Sequence, residues 1–590
     1  MNRVLKRLVG WPFLAIVSLI GAVTVAYGEH DYQTLAFVVF VYAGLCAAIV
    51  LLARRLAFAI LTTWLLIAVL TAISAMKLKY MGFSLHAYDL YFYNRDFEVY
   101  SFLFDSYLLP FVLCLAILFC GGLVCALIWR HEPRRDDLRP KALAACALAL
   151  VGAIASYPQW ADDQTFYAAG HRTSSFFTSL KDIGELTEGT GFARQLQASP
   201  LKTAYDGIPD CSSGGARPDL VAVLMESAVP PSLYPEIKSN PALDHMFRSA
   251  DGSVRSLRVE TFGGGTWISA AGLMTSLPTT EFGWMRLYLP VYLNHRVHHS
   301  LPKLLEACGY KTAVISPLSY PFVNDGPFMT SLGIEDYRDF RAIGAKSKHE
   351  RDTFYLQTAL DYIDRHHQTD PRPLFLFVMT MAAHGPYYDR FEPETIVPGE
   401  PFGNGGEIDE YLRRLTMQQI DFKDFLNRLK SHTRDAGAVV VDFGDHQPAV
   451  TKELAQRHDS AGALGHWDSI AYKTYYRITP VNTSLAATPP NVPALDIAYL
   501  GPTLLQAAGL PLDDVYRELV ALRSACNGAL YLCAEHERIK RHLKMLANGK
   551  LLELGTPPAN APNLPIVETA AANPALRYAT ESKATQRANP

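Results

Sequence analysis

The segment Gly444-Asp445-His446 places a carboxylate next to an imidazole. It follows the apolar run 437–441, which is typical of a buried strand. In open α/β sheets, binding sites lie at the carboxyl ends of the strands. Carboxylate and imidazole are both ligands for divalent metals. The segment therefore indicates half of a metal site if the rest of the chain supplies the other half, and an ordinary loop if it does not.

Two further residues with suitable chemistry come at the ends of other apolar runs. Glu226 ends the run 220–225, which is typical of a strand buried on both faces, and His384 lies just beyond the run 374–379. A sheet whose strands end in Glu226, His384 and Asp445 brings them to one edge. We predict that Glu226, Asp445 and His446 hold one divalent ion there, with the Thr266 oxygen as a fourth ligand.

Thr266 follows three consecutive glycines, 263–265, and begins a predicted helix over 267–274. A hydroxyl at this position is often only an N-cap. The same position favours bound phosphate, and a metal turns a threonine hydroxyl into a nucleophile. On this second reading Thr266 attacks phosphorus and carries the phosphoryl group. His384 then stabilises the phosphoryl oxygens or protonates a leaving group.

The elements that must position these residues alternate along the chain. Strands are predicted at 220–225, 312–315, 374–379 and 437–441, and helices near 300–308, 352–366 and 408–430. Such alternation predicts a mainly parallel sheet covered by helices on both faces.

The first part of the chain is much more apolar than the rest. Runs long enough to span a bilayer lie at 10–28, 35–53, 56–76, 107–129 and 142–157. Lys and Arg concentrate before the first run, between the second and third, and between the fourth and fifth. This bias predicts a cytoplasmic N-terminus, with everything after about residue 157 outside. The aromatic connector 77–106 is either an interfacial belt or a lid.

These patterns predict a membrane domain over 1–157 and a linker with a connecting helix (174–186) over 158–217. A catalytic domain follows over 218–555, and then a flexible tail over 556–590. The net charge of −3 provides no basic field for nucleic acid. Cys526 and Cys533 are predicted to pair outside the cytoplasm. Cys211 and Cys308 are a second candidate pair.

The order of four motifs, Met225-Glu226-Ser227, Gly264-Gly265-Thr266, His384-Gly385-Pro386-Tyr387 and Gly444-Asp445-His446, resembles the sulfatase-like branch of the alkaline phosphatase superfamily. Together with five spans, the chain resembles the lipoteichoic acid synthase and phosphoglycerol transferase family. The resemblance implies an extracytoplasmic α/β/α domain in which Glu226, Thr266, Asp445 and His446 bind Mn²⁺, with Mg²⁺ or Zn²⁺ as alternatives. It also implies that Thr266 is the nucleophile and that His384 contacts the transferred group.

The family's phosphoglycerol pocket is matched in part. In Phe322-Val323-Asn324-Asp325 the Phe and Asn match, so Asn324 is a candidate substrate ligand, and Asp325 replaces a cation and suits an ammonium group. His384-Gly385-Pro386-Tyr387-Tyr388-Asp389-Arg390 is similar to the corresponding loop of the phosphoethanolamine transferases. On that resemblance His466 is a further metal or phosphate ligand; otherwise it is an ordinary loop histidine.

The resulting prediction is a multi-pass enzyme of the bacterial inner membrane. It moves phosphoglycerol or phosphoethanolamine from a phospholipid, through phosphothreonine, to an envelope glycan or lipid. The alternatives are a phosphoethanolamine transferase acting on lipid A, a phosphohydrolase with water as acceptor, and a non-catalytic scaffold.

Overall fold

A computed structural model describes residues 10–29, 31–81, 84–93, 97–158, 173–184, 192, 196, 201, 203–211, 217–347, 349–459 and 466–554. The chain divides into two compact units, Met1–Leu186 and Thr187–Pro590. The predicted tail lies outside the described residues, as does much of the predicted linker.

The helices of the first unit are α1 (Trp11–Gly28), α2 (Tyr32–Ala53), α3 (Leu56–Met81), α4 (Ala87–Tyr93), α5 (Phe97–His131), α6 (Leu138–Ala155) and α7 (Ser174–Thr178). Five of them, α1, α2, α3, α5 and α6, contain stretches long and apolar enough to cross a membrane, which confirms the five predicted spans. Within this unit α2 packs against α6, and α3 packs against α5.

Two segments of this unit differ in secondary structure from what the sequence predicts. The predicted connector 77–106 is largely helical, because α3 continues to Met81, α4 intervenes and α5 begins at Phe97. Polar residues end an apolar window without ending a helix. The predicted helix over 174–186 is interrupted by a turn at 179–181. There the Thr178 hydroxyl donates to the carbonyls of Ser174 and Ser175 and so competes for helical acceptors.

The second unit is built on one eight-stranded sheet. Its strands are β1 (Asp219–Met225), β2 (Arg255–Arg258), β3 (Lys311–Ile315), β4 (Asp336–Arg338), β5 (Leu374–Met379), β6 (Ala438–Gly444), β7 (Lys473–Val481) and β8 (Leu495–Asp496), in the order β4-β3-β5-β1-β6-β7-β2-β8. Among the described strands only β7 runs antiparallel to its neighbours, so the sheet is mainly parallel as predicted.

Helices connect and cover these strands. They are α8 (Pro241–His245), α9 (Thr266–Thr275), α10 (Leu289–Tyr292), α11 (Leu301–Ala307), α12 (Asp325–Ser331), α13 (Asp352–Thr369), α14 (Gly406–Leu429), α15 (Lys452–Asp459), α16 (Leu500–Ala507), α17 (Asp514–Ala525) and α18 (His536–Asn548). Every residue of β1 is buried, so both faces of the sheet are covered at its centre. One face packs against α13 and α14.

The register of β1 and β6 brings distant parts of the chain together. Met225 pairs with Gly444, so the residues that follow them, Glu226 and Asp445, leave the same edge side by side. A side chain at position 444 would not fit, because a Cβ there would lie 2.0 Å from the carbonyl oxygen of Ala228. Glycine therefore allows the two strand ends to approach each other.

The region after Ala508 contains α17 and α18, for which the sequence pattern produced no helix prediction. Their apolar positions are buried, including Leu519, Leu522, Leu543 and Leu546. The predicted Cys526–Cys533 disulfide is confirmed, and Cys211 pairs with Cys308.

Candidate active site and metal centre

Three predicted ligands converge at the carboxyl edge of β1 and β6. Glu226, Asp445 and His446 are 1%, 0% and 2% exposed. Each offers a ligand atom, and these atoms lie within 4.8 Å of one another. Buried charges normally require a partner or a metal. The geometry is therefore that of a candidate metal centre.

Thr266 is the first residue of α9 and points at this cluster. Its Oγ1 lies 3.3 Å from Glu226 Oε2 and 3.5 Å from His446 Nε2. The N-cap position of α9 is occupied by Gly265, so the alternative in which Thr266 merely caps the helix is not what the structure contains. Thr266 is half-buried, whereas the three ligands of the cluster are buried.

The glycine run sets this orientation. Gly263, Gly264 and Gly265 all have positive φ, at 70°, 151° and 82°, a region that side chains disfavour. A Cβ on Gly265 would lie 2.9 Å from Thr261 Oγ1. The Gly263 N–H donates to the carbonyl of Gln447 over 2.9 Å, which joins the loop to the segment that carries His446.

The spacing of the donor atoms fits a divalent ion. His446 Nε2 lies 3.2 Å from Asp445 Oδ2 and 3.6 Å from Glu226 Oε1. Together with the Thr266 distances, these separations are short enough for the four side chains to share one ion, whose bonds to nitrogen and oxygen ligands are about 2.0–2.2 Å. The buried Asp445 Oδ2 also lacks a hydrogen-bond donor among the described residues. Two carboxylates, an imidazole and a hydroxyl suit Mn²⁺, Mg²⁺ or Zn²⁺.

The tautomer of His446 supports the same reading. Its Nδ1–H donates to the carbonyl of Gln447 over 3.0 Å, which leaves the lone pair of Nε2 facing the cluster. Burial, and then the nearby Glu226 carboxylate, raise the pKa of Asp445 to about 7. A divalent cation would remove this conflict between like charges.

Several supporting residues were missed by sequence reasoning. Ser227 donates its hydroxyl to Glu226 Oε1 over 2.7 Å and its N–H to Asp445 Oδ1 over 2.8 Å. The hydroxyl of Ser269 donates to the carbonyl of Asp445. Gln447 donates to the carbonyls of Ile470 and Lys473. Ser227 and Gln447 are direct chain neighbours of predicted ligands, and this adjacency was the available signal.

His384 lies near the cluster but outside the group of three ligands. Its carbonyl accepts a hydrogen bond from Arg414 over 2.7 Å, and its ring contacts that of His349, with 5.3 Å between the centroids. Burial has the largest effect on the pKa of Glu226 and acts to raise it. The nearby His446 and then His384 act to lower this pKa. The half-buried imidazole is thus close enough to the cluster to affect Glu226 electrostatically.

Two other predicted residues have different surroundings. Asn324 adopts a positive φ of 63°, and its amide donates to the carbonyl of Pro290 over 2.7 Å. His466 is exposed, next to an undescribed segment, and is not among the clustered ligand atoms. The carboxyl group of Asp325 is buried and accepts from the Tyr337 hydroxyl over 2.8 Å. Burial raises its pKa to about 6, and the carboxyl group is not exposed to a ligand in solvent.

Comparison with known proteins places this domain in a family. The sulfatase family model matches residues 218–509. An uncharacterized protein of Haemophilus influenzae is 24% identical over 319 residues, covering 51% of this chain and 55% of its own. A Rhizobium meliloti protein named for the modification of cyclic beta-1,2-glucan is 24% identical over 364 residues, covering 57% and 54%. The chain thus spans about half the length of the curated relatives it matches.

The solved structures that are similar to this chain include two transferases. The phosphoglycerol transferase GacH of Streptococcus pyogenes, in complex with sn-glycerol-1-phosphate, is 16% identical with a TM-score of 0.43, covering 61% of this chain and 89% of its own. The lipooligosaccharide phosphoethanolamine transferase EptA of Neisseria meningitidis is 11% identical with a TM-score of 0.43, covering 81% and 96%. The region that the sulfatase family model matches contains all eight strands and the residues of the candidate site.

Proposed function

We propose that the protein is a membrane-bound, metal-dependent transferase. It takes a head-group phosphoryl unit, phosphoglycerol or phosphoethanolamine, from a phospholipid and carries it on Thr266 to an envelope glycan or lipid. The observation that carries this proposal is the position of the Thr266 hydroxyl, 3.3 Å from Glu226 and 3.5 Å from His446, on the accessible side of a buried donor cluster.

Glu226, Asp445, His446 and Thr266 would hold the divalent ion. When bound, such an ion favours the alkoxide form of a hydroxyl and neutralises phosphoryl charge. In the first step Thr266 Oγ1, as the alkoxide whose proton has been released to solvent, forms a bond to phosphorus, and the bond from phosphorus to the diacylglycerol oxygen breaks. The departing oxygen takes a proton, which protonated His384 would donate.

The second step reverses the roles. An acceptor hydroxyl forms a bond to phosphorus, the bond between phosphorus and Thr266 Oγ1 breaks, and the acceptor proton passes to His384. Two half-reactions at one site imply ping-pong kinetics. Water in place of the acceptor hydroxyl would make the protein a phosphohydrolase.

The choice of donor and acceptor has separate support. Five membrane-length helices keep the domain at a bilayer, where a phospholipid donor resides. The name of the Rhizobium meliloti relative concerns a glucan, which favours a glycan acceptor. We further propose that the N-terminus is cytoplasmic and the catalytic domain extracytoplasmic, from the distribution of Lys and Arg among the loops.

The test is the intact mass of the detergent-purified full chain after incubation with Mn²⁺, phosphatidylglycerol and phosphatidylethanolamine. We expect an adduct on the native chain and on Thr266→Ser, which keeps a hydroxyl, and none on Thr266→Ala. The mass identifies the transferred head group. An adduct that persists in Thr266→Ala, or diacylglycerol released equally by that variant, would refute the proposed nucleophile.

A further inference from the structure

A cavity of about 480 Å³ opens beside the His384 loop. Its walls are residues 387–390, residues 400–402 and the first two turns of α14, and its volume lies within the range of small-ligand sites. Of these walls, residues 387–390 and 400–402 lie in the chain between β5 and α14.

The cavity lies at the same edge of the sheet as the metal centre. Because β5 and β6 both run parallel to β1, the helix that connects them, α14, must begin at the carboxyl edge. Arg414 of α14 donates to the carbonyl of His384 over 2.7 Å and to that of Asp389 over 2.8 Å. One guanidinium therefore ties the catalytic histidine segment to the cavity wall.

Most charges in the walls are used to hold the walls together. Glu410 accepts from Arg413 and from Arg414, each over 2.8 Å. Glu400 pairs with Arg390. Asp409 accepts from the N–H of Asn404 over 2.9 Å. These contacts account for three of the five carboxylates and both guanidiniums that line the cavity.

Two carboxylates remain. Within the part of the chain that the structure describes, the side chains of Asp389 and Glu407 have no hydrogen bond or ion pair. Tyr388, which also lines the cavity, is 56% exposed. The cavity thus offers a ligand two acidic acceptors and one aromatic face.

The balance of charge selects among ligands. Five carboxylates against two guanidiniums would repel a phosphate or a carboxylate group. An organic cation is best held by several aromatic faces around it. Here the other two aromatic residues, Tyr387 and Phe402, are 5% and 9% exposed, so they do not complete such a cage. An uncharged sugar matches the cavity better. Its hydroxyls can donate to the two separated carboxylates, and its C–H groups can pack against the single aromatic ring.

We propose that this cavity is the acceptor subsite, and that it binds an uncharged glycan through Tyr388, Asp389 and Glu407. This inference rests on the proposed function and adds the acceptor class and its location. Arg414, which bonds to the carbonyls of both His384 and Asp389, joins the cavity wall to the residue proposed to act on a group carried by Thr266.

The test is binding of neutral cyclic β-1,2-glucan to the full chain in detergent, measured by isothermal titration without any lipid donor. We expect Tyr388→Ala to weaken binding at least tenfold, and Asp389→Asn and Glu407→Gln to weaken it several-fold each. Glu453→Gln, which changes an exposed glutamate on α15, is the matched control and should bind as the native chain does. Thermal unfolding of each variant establishes that it is folded.

Equal binding by the three cavity variants and the native chain would overturn the proposal, because the glucan would then bind elsewhere. The proposal would also be overturned if the native chain did not bind the glucan but bound choline in a way that depends on Tyr388. The cavity would then be a cation site. These outcomes do not depend on catalysis. Failure to find the Thr266 adduct would refute the transferase mechanism while the titration still decides whether the glycan site exists.

In chains that do form the adduct, a second readout joins the two proposals. We expect the glucan to discharge the adduct. In Tyr388→Ala the rate of this discharge, relative to the rate of adduct formation, should fall at least tenfold. A ratio unaffected by Tyr388→Ala would overturn the acceptor assignment.

Discussion

Ser227 links the two carboxylates of the candidate metal centre through its own hydroxyl and N–H. It has a positive φ of 53°, and its carbonyl accepts from the Tyr411 hydroxyl over 2.9 Å. Residues that hydrogen-bond to metal ligands orient them, and their loss typically costs about 10- to 100-fold in metal affinity. Ser227 is therefore a positioning residue.

We predict that Ser227→Gly lowers the affinity for Mn²⁺ by at least tenfold. Glycine keeps the N–H bond to Asp445 and accepts the positive φ, so the change isolates the hydroxyl. Ser227→Ala adds backbone strain and should bind no better. Isothermal titration of the full chain with Mn²⁺ measures the affinity, with exposed Ser431→Ala as the control. Native affinity in Ser227→Gly would mean that the hydroxyl does not orient Glu226.

At the scale of elements, Asp352 joins the start of α13 to the carboxyl end of β5. Its Oδ1 accepts from the N–H groups of Met381 and Ala382, over 3.0 and 2.9 Å, whereas the described residues provide no donor for its buried Oδ2. Gln418, which contacts this carboxyl group, donates to the backbone carbonyl of Glu226 over 3.1 Å. The junction therefore supports the segment that carries a metal ligand.

Burial raises the pKa of Asp352 to about 7, although hydrogen bonds from the backbone act against this shift. In the unfolded chain the group ionises near its ordinary pKa, whereas in the folded protein it stays protonated to about pH 7. Its contribution to stability is therefore fully present at low pH, decreases as the pH rises from about 4 to 7, and is lost above that range.

We predict that Asp352→Asn has little effect at pH 4 and stabilises the protein at pH 8. An amide keeps the acceptor oxygen for the two N–H groups and cannot ionise. The gain is at most about 4 kcal/mol, from about 1.4 kcal/mol for each pKa unit. Thermal unfolding of the full chain at both pH values is the measurement, and Asp361→Asn on the exposed side of α13 is the control. A loss of stability at pH 8 would show that Asp352 functions as a charged group.

At the scale of the whole molecule, the cysteines divide by unit. Four form the Cys211–Cys308 and Cys526–Cys533 disulfides of the second unit, and the other five are free and lie in the membrane-length helices. Disulfides persist in oxidising compartments. This division agrees with the proposed extracytoplasmic location of the catalytic domain, which rests on the loop charges.

We predict that acid-quenched whole cells yield a chain in which maleimide-polyethylene glycol labels five of the nine cysteines before reduction and all nine after it. Gel mobility counts the adducts. The double variant, Cys211→Ser with Cys308→Ser, should still show five labels before reduction. Either single variant should show six, because the remaining partner becomes a free thiol. Labelling of all nine without reduction would place the second unit in a reducing compartment and contradict the proposed topology.

The sequence by itself determined the five membrane-length segments, the mainly parallel sheet and the identity of the clustered residues. Hydropathy over about 20 residues and continuous apolar runs are local properties, and Glu226, Asp445 and His446 could be recognised because they directly follow such runs. The extent of α5 and the existence of α17 and α18 were not predicted, because these helices contain polar residues and are stabilised by packing. The helix α7 is shorter than predicted, because the Thr178 hydroxyl competes for its carbonyl acceptors.

Only the tertiary structure decided how the distant residues meet. The register of β1 against β6 sets Glu226 beside Asp445, and Gly265 takes the cap position so that Thr266 faces both Glu226 and His446. Asn324 bonds to the Pro290 carbonyl, and Ser227 joins two carboxylates 219 residues apart in the chain. Contacts over such separations depend on how the whole chain packs, whereas an apolar run depends only on its own residues.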